Sequence, residues 1–174
     1  DYMATVTEIE IKPARAKEVN CPVTEHERTE LRALLGGMQW LVGQTQVDGA
    51  VDVNILQSDV TTATVDTLLT ANKILRKLKQ HMHKLYTKKI PDDINFVAWS
   101  DASWANRKSG SSTGGYIIGM CGPGVLEGKR EHVTIVTWST NKLKRVARSS
   151  LAAEVQALAN AEDELHLTRL AWAE

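Results

Sequence analysis

The 174-residue sequence is poor in the features that mark membrane, secreted or zinc-binding proteins. Its apolar runs are only a few residues long, so no segment is fit to span a membrane, and no secretory signal pattern is present. Cys21 and Cys121 lack the paired spacing of zinc ligands, so we expect two free thiols in an intracellular, reducing compartment, the cytoplasm or nucleus. Because the chain opens on Asp1 rather than Met, we interpret it as a fragment or a processed product.

Charged residues are plentiful but unevenly distributed along the chain. The formal net charge is zero. Acidic residues nevertheless outnumber basic ones by 10 to 5 in residues 1–60 and by 5 to 1 in residues 150–174. Residues 61–149 hold 15 basic and 6 acidic residues. A basic middle of this kind indicates a polyanionic partner.

The first half of the sequence predicts helices. Thr24 and Glu27 have the spacing of a capping box, and an apolar helical stripe follows them. Gly36 and Gly37 within this stripe predict a close helix contact. A second helix is expected over residues 47–60. The segment before Thr24 fits either an edge strand or an extended arm.

A third predicted helix, at about residues 62–88, is strongly basic. It has no acid between Thr67 and Pro91. Its basic face fits either a solvated helix surface or a contact with phosphate groups. His81 and His83 are two residues apart and point to different faces, so we do not expect a metal pair. The candidate phosphate-binding residues of this helix are Lys73, Arg76, Lys77 and Lys84.

The second half predicts three strands with short connections, which favours an antiparallel meander. The Gly/Ser-rich connection between the first two strands lacks Walker spacing and leads into a strand, so we predict a hairpin loop. A final helix, capped by Ser149 or Ser150, follows the meander. The predicted strands are Ile94–Ser103, Tyr116–Cys121 and His132–Trp138. The residues expected on the inner side of the final helix are Leu151, Val155, Leu158, Leu165 and Trp172.

An acidic residue stands near the end of the first predicted strand. Asp101 shares a pleat face with Val97 and Trp99, and an uncompensated carboxylate in a core strand is costly. We therefore expect a partner, and Glu154 on the final helix is the best candidate. Two converging carboxylates would suit Mg²⁺. The alternative is an ordinary surface acid at a strand end.

A basic loop lies between the third strand and the final helix. Such a loop is unusual for a purely structural turn, and it fits a polyanionic backbone that is drawn toward bound metal ions. Its basic residues are Lys142, Lys144, Arg145 and Arg148.

Two stretches of the second half are distinctive: WSDASWANRKSGSSTGGYIIG and VTWSTNKLKRVARSSLAAEVQAL. In order and spacing they resemble the ribonuclease H (RNase H) domain of copia-type LTR retrotransposon Pol polyproteins. Two upstream stretches, ELRALLGGMQWLVGQTQVDGAVDVNILQS and ANKILRKLK, resemble the helical segment that links reverse transcriptase to RNase H in that family.

The resemblance implies a mixed α/β (α+β) fold with two parts. Residues 1–91 would form a helical connection segment. Residues 92–174 would form the N-terminal part of an RNase H-like domain, a three-stranded antiparallel meander followed by a helix. The resemblance also implies that Asp101 and Glu154 are catalytic, metal-binding acids of a two-metal Mg²⁺ site that hydrolyses RNA in RNA–DNA hybrids. The implied partners are an RNA–DNA hybrid or other nucleic acid and the reverse transcriptase domain of the same polyprotein.

The sequence also departs from the family. The family supplies two further acids after this helix, and Asp163 and Glu164 lie roughly 13–15 Å from Glu154 along the helix axis, too far to replace them. No Tyr-x-Asp-Asp reverse transcriptase motif is present. We therefore expect a catalytically incomplete fragment with an open sheet edge that other protein chains cover. The alternative is a domesticated or truncated copy that no longer cuts and acts as a structural or nucleic-acid-binding subunit.

Overall fold

The computed structural model describes residues 2–80, 84–89 and 93–173. The chain divides into two compact units, Asp1–Lys84 and Leu85–Glu174. The predictions made for His81 and His83 lie outside the described residues. Among the helices of the described ranges, none combines the length and hydropathy needed to cross a membrane.

The first unit is helical. Its second helix begins where predicted, because the capping box forms: Thr24 Oγ1 accepts a hydrogen bond from the Glu27 N–H (3.2 Å), and the Glu27 carboxylate accepts one from the Thr24 N–H (2.7 Å). The predicted second helical segment is confirmed, with single 3₁₀ turns on either side of it. The helices are α1 (Tyr2–Thr5), α2 (Glu25–Gln44), α3 (Ala50–Asp59) and α4 (Val65–Gln80).

The core of this unit is formed by apolar side chains at helical spacing on α2, α3 and α4. These side chains repeat every three or four residues, so each helix presents one continuous apolar face to its neighbours. The predicted apolar stripe of α2 is confirmed as core. The largest fully buried members are Leu31, Leu35, Met38, Val42, Val53, Val65, Leu68, Leu75 and Leu78.

The segment between α1 and α2 is an arm that packs on the helices without strand pairing over residues 6–12. The Asn72 side chain of α4 holds it, since its amide accepts from the Ile9 N–H (2.9 Å) and donates to the Ile9 carbonyl (2.8 Å). Val6 lies against Gly37, where an added Cβ would stand 3.1 Å from Val6 Cγ2, whereas Gly36 faces open space. The prediction that the two glycines permit a close helix contact is therefore wrong. The missing side chain of Gly37 instead leaves room for the arm.

Helix α4 is shorter than the predicted third helix. It extends to Gln80, and residues 84–89 are not helical. Residues 81–83 lie outside the described ranges. Leu85 and Tyr86 are exposed, so no apolar burial offsets the repulsion among the lysines of this stretch.

The second unit contains a three-stranded antiparallel sheet in the order β1-β2-β3. The predicted meander is therefore confirmed. In its register Asp101 pairs with Gly115, and a β-bulge interrupts the β2–β3 pairing between Ile118 and Gly119. Within the sheet formed by the described residues, β1 and β3 are the edge strands. The strands are β1 (Asn95–Ser103), β2 (Thr113–Cys121) and β3 (Thr134–Lys142).

Helix α5 (Ser150–Ala173) covers one face of this sheet. Ser149 is its cap, because its Oγ accepts a hydrogen bond from the Ala152 N–H (3.1 Å). The helix comes close to the strands at Gly114, where an added Cβ would stand 3.2 Å from the Cβ of Ala157. Only small side chains fit at this distance.

The predicted inner face of α5 is therefore wrong for four of its five residues, whereas the fifth, Leu165, is half-buried. Leu151, Val155 and Leu158 are 71%, 57% and 59% exposed. Trp172 is also mostly exposed, although its ring meets Phe96 edge-on with the ring centroids 6.2 Å apart. The buried residues of α5 are Ala153, Ala157 and Ala161.

Candidate nucleic-acid and metal site

Asp101 lies near the end of β1, on the sheet face that α5 does not cover. Phe96 contacts Trp172 of α5, so the even-numbered residues of β1 face the helix. Asp101 and Trp99 consequently point to the opposite face, and both are exposed. The predicted environment of a buried strand is therefore wrong. Because water solvates the carboxylate, its position alone demands no compensating partner.

Glu154 lies at the same end of the unit, on the helix side. It is half-buried in the second turn of α5, three residues before Ala157. Ala157 lies against Gly114, and Trp172 lies near the start of β1, so α5 runs antiparallel to β1. The fold thus brings the elements that carry Asp101 and Glu154 to one end of the unit. It places the two side chains on different faces of the sheet, not together in the strand–helix interface.

The two acids predicted to bind metal, Asp101 and Glu154, are carboxylates, the ligand type that a hard cation such as Mg²⁺ takes. Among the described residues, no group of three or more His, Cys, Asp or Glu side chains could hold a metal ion. Mg²⁺ is commonly bound through one or two carboxylates, with water and substrate phosphates completing its octahedron. Asp101 and Glu154 have the ligand type that Mg²⁺ takes, but they leave different faces of the sheet, so a shared Mg²⁺ site stays a prediction.

Two other acids of α5 have different environments. Asp163 is exposed, and Glu164 is half-buried beside Tyr116 of β2. Burial and the neighbouring Glu164 carboxylate raise the pKa of the Tyr116 phenol. Glu164 therefore belongs to the sheet–helix packing and does not extend the Glu154 site.

The basic loop, residues 143–149, is anchored at both ends and exposed between them. Leu143 is buried, and its N–H donates to the Ser112 carbonyl (2.9 Å); at the other end Ser149 caps α5. The side chain of Val146 is 91% exposed. Within the described chain, no ion pair joins an acid to the cations of this loop or to the one that precedes it. These exposed cations are Lys142, Lys144, Arg145 and Arg148.

The predicted phosphate-binding residues of α4 are less available. Arg76 pairs with Glu8 (3.4 Å) and Lys77 pairs with Asp52 (3.1 Å). Exposed pairs of this kind are weak, at ~0–1 kcal/mol, but they reduce the local positive charge. Lys73 is exposed on the same helix, and Lys84 is exposed beyond it. The basic loop of the second unit therefore carries the better case for a phosphate contact.

The turn between β1 and β2 contributes residues that sequence reasoning missed. The Trp104 indole Nε1–H donates to the carbonyl of Ala147 in the basic loop (2.9 Å). Arg107 is buried, and its Nε donates to Thr113 Oγ1 (3.0 Å). The Ser112 hydroxyl accepts from the Ala105 N–H (3.0 Å). Trp104 and Arg107 precede the predicted Gly/Ser-rich connection, residues 109–115, and these two large side chains were the available signal that the turn is ordered.

Two relatives among curated proteins carry names that bear on this arrangement. The Arabidopsis thaliana protein "Retrovirus-related Pol polyprotein from transposon RE1" is 33% identical over 79% of this chain and 9% of its own length. The Arabidopsis thaliana protein "Retrovirus-related Pol polyprotein from transposon RE2" is 30% identical over 95% of this chain and 11% of its own length. The chain is related to retrotransposon Pol polyproteins. The predicted resemblance to retrotransposon Pol polyproteins is confirmed, whereas its assignment to the RNase H domain and the segment before it stays a prediction.

The relationship covers most of this chain but a small part of the relatives. The chain spans about a tenth of the length of these Pol polyproteins. No protein-family model matches the Pol-related chain, and no solved structure matches it. The roles of Asp101, Glu154 and the basic residues therefore stay predictions.

Proposed function

We propose that the chain is the connection segment (residues 1–91) and the N-terminal part of the RNase H-type domain (residues 92–174) of a retrotransposon Pol polyprotein. Its substrate class would be an RNA–DNA hybrid, of which the RNA strand is hydrolysed with Mg²⁺. The reverse transcriptase domain of the same polyprotein would be its neighbour. Support comes from the two Pol relatives and from the meander followed by a helix.

One observation carries this proposal: the elements that bear the two acids and the unpaired basic loop lie at the same end of the second unit, although the two acidic side chains leave different faces of the sheet. Asp101 lies near the end of β1, and Glu154 lies in the second turn of α5. The basic loop leads directly into α5. A phosphodiester backbone needs cations along its phosphates and an acidic, metal-holding centre at the bond that breaks. This end of the unit carries the exposed cations and the two acids to which we assign these roles.

The residues would divide the work as follows. Asp101 and Glu154 would hold Mg²⁺, whose chemistry when bound is to activate an attacking water and stabilise the leaving oxygen. Lys144, Arg145 and Arg148 would neutralise backbone phosphates and fix the register of the hybrid. Two carboxylates form only part of such a centre, so we expect this chain to bind hybrid without efficient cleavage.

Fluorescence anisotropy with a labelled RNA–DNA hybrid tests the proposal. The chain should bind the hybrid, and Mg²⁺ should tighten binding several-fold. Asp101→Asn and Glu154→Gln should each remove the Mg²⁺ effect, whereas the matched control Asp163→Asn, an exposed acid on α5, should keep it. Absence of hybrid binding, or a Mg²⁺ effect that survives in both variants, would overturn the proposal.

A cleavage assay on the same hybrid tests the incomplete site. The chain should release no more RNA product with Mg²⁺ than Asp101→Asn does. Mg²⁺-dependent cleavage that Asp101→Asn abolishes would show that the two acids suffice, contrary to our expectation.

A second candidate function is a non-catalytic subunit of a larger assembly, and the outer face of α5 favours it. Leu151, Val155 and Leu158 form one exposed apolar stripe at helical spacing. Contiguous apolar patches mark interaction surfaces more often than free surface. The occupant we propose is another domain of the Pol polyprotein, since the chain spans about a tenth of its relatives. In the titration above, this function predicts hybrid binding that neither Mg²⁺ nor Asp101→Asn alters.

A further inference from the structure

Trp104 connects two loops that are distant in sequence and adjacent in the fold. It lies in the turn between β1 and β2, and its indole Nε1–H donates to the carbonyl of Ala147, 43 residues later (2.9 Å). Ala147 is half-buried in the middle of the basic loop, while its neighbours Val146 and Arg148 are exposed. The bond therefore reaches the one residue among 144–148 that is not exposed.

Among the described residues, this hydrogen bond is the contact that holds residues 144–148 against the rest of the second unit. Leu143 and Ser149 fix the two ends of the loop, through a core side chain and a helix cap. Between them the loop has no regular secondary structure. A free segment of this length would lose about 1–2 kcal/mol of backbone entropy per residue when it becomes ordered on a ligand. The hydrogen bond at Ala147 restricts the loop in the free protein, so part of this entropy loss does not accompany ligand binding.

The positive charge of the loop increases the effect of this hydrogen bond on the loop conformation. Lys144, Arg145 and Arg148 lie within five residues, and no acid among the described residues pairs with them. Their mutual repulsion favours many open conformations over a single one. A loop that is held in one conformation presents its cations as a fixed set, and fixed cations can match the fixed spacing of backbone phosphates.

We propose that Trp104 is a positioning residue for nucleic-acid binding. Its indole N–H holds the basic loop in the conformation in which Lys144, Arg145 and Arg148 contact the phosphates of an RNA–DNA hybrid. The inference rests on the proposed function for the identity of the ligand. The inference assigns a role in nucleic-acid binding to a residue that contacts neither the two acids nor the phosphates.

The chain offers a matched control. Trp99 of β1 is exposed to the same extent as Trp104, 51% in each case. Among the described residues its indole makes no side-chain hydrogen bond. Replacing either residue by Phe keeps an aromatic ring and removes the N–H donor, so the pair of variants isolates the hydrogen bond to Ala147.

The experiment measures hybrid affinity against salt concentration for the whole chain, Trp104→Phe and Trp99→Phe. Each phosphate contact contributes roughly 0.7–0.9 to the slope of log affinity against log salt. We expect Trp104→Phe to weaken binding about 5–10-fold at low salt and to lower the slope by about 1–2. Trp99→Phe should keep the affinity and the slope. A loss of fold stability alone would not change the slope.

A second readout needs no nucleic acid. Trypsin cleaves after Lys and Arg, so cleavage within residues 144–148 reports how often the basic loop opens. Trp104→Phe should be cut several-fold faster there than the parent chain, and Trp99→Phe should not. This result is expected whether or not the hybrid is the correct ligand.

The outcomes separate the two proposals. If the parent chain binds hybrid and Trp104→Phe keeps both its affinity and its slope, the inference is wrong and the proposed function stands. A lower affinity with an unchanged slope, or unchanged trypsin cleavage, also overturns the inference, because the loop cations would then be positioned without Trp104. If the parent chain binds no hybrid, the proposed function is wrong, and the hybrid is not the ligand of the basic loop.

Discussion

Gly114 is the position where the sheet, α5 and the basic loop come closest together. A Cβ added to Gly114 would stand 2.6 Å from Leu143 Cδ2 and 3.2 Å from Ala157 Cβ. Carbon atoms pack at about 3.5–4.0 Å, so Gly114→Ala forces Leu143 to turn by roughly 1 Å and pushes α5 outward by a few tenths of an ångström. Leu143 is buried, so it has little room to move.

The cost follows from these contacts. Overpacking of this degree costs about 1–3 kcal/mol, and the lower backbone entropy of Ala relative to Gly returns about 0.5–1 kcal/mol. We expect Gly114→Ala to lower the free energy of unfolding by about 1–2 kcal/mol, and each kcal/mol should lower the Tm of a unit of this size by about 4–8 °C.

Urea unfolding of the full chain, followed by tryptophan fluorescence, measures this change. The control is Ala157→Gly, which removes the second close contact. In the parent it should destabilise by about 1 kcal/mol through helix propensity, and in the Gly114→Ala background it should cost much less. The reasoning is refuted if Gly114→Ala is as stable as the parent, or if Ala157→Gly costs the same in both backgrounds.

Three further predictions concern the remaining ordered contacts. The side-chain hydrogen bond from Arg15 lowers the pKa of Glu27 to about 2. This contact therefore stabilises the fold above about pH 4.5, and the stabilisation is lost as the pH falls toward 2. Measured by urea unfolding, Glu27→Gln should lower the free energy of unfolding by ~1–2 kcal/mol at pH 7 and by much less at pH 3. Asn72→Ala should cost ~2–3 kcal/mol in the same assay, because the buried N–H and C=O of Ile9 lose their partners. With a thiol reagent at pH 7 one thiol, the exposed Cys21, should react in the folded chain, since burial, with a smaller contribution from Glu131, raises the pKa of Cys121.

The controls for these predictions lie beside the residues changed. Glu25 is an exposed acid in the first turn of the same helix, so Glu25→Gln should cost less than half as much as Glu27→Gln. Lys73→Ala changes an exposed neighbour of Asn72 and should cost no more than ~0.5 kcal/mol. Equal losses within either pair would contradict the contacts described. Reaction of both cysteines in the folded chain would contradict the burial of Cys121.

Local features were predictable from the sequence because their partners are close along the chain. The capping box joins Thr24 to Glu27, three residues apart, and it forms as expected. The three strands followed from alternation and turn residues, and their order followed from the short connections. Their bounds differ from the prediction because pairing extends into the glycines at the start of β2.

Features that depend on packing were not predictable in the same way. On α5, large apolar side chains were expected inside, but the close approach at Gly114 leaves room only for alanines such as Ala157. The burial of Asp101 was inferred from its apolar neighbours, although only one face of β1 is covered. The bond from Trp104 to Ala147 spans 43 residues and has no local sequence signal.

We propose that Asp101 and Glu154 share one divalent cation at the end of the second unit, although they leave different faces of the sheet. Mn²⁺ titration followed by electron paramagnetic resonance, with hybrid present, tests it on the parent chain, Asp101→Asn, Glu154→Gln and the double variant. Each single variant should weaken Mn²⁺ binding at least 10-fold. The double variant should bind Mn²⁺ hardly more weakly than either single variant, which corresponds to a coupling free energy of at least ~1 kcal/mol between the two residues. Independent, additive losses, or Mn²⁺ binding that neither variant changes, would contradict the claim.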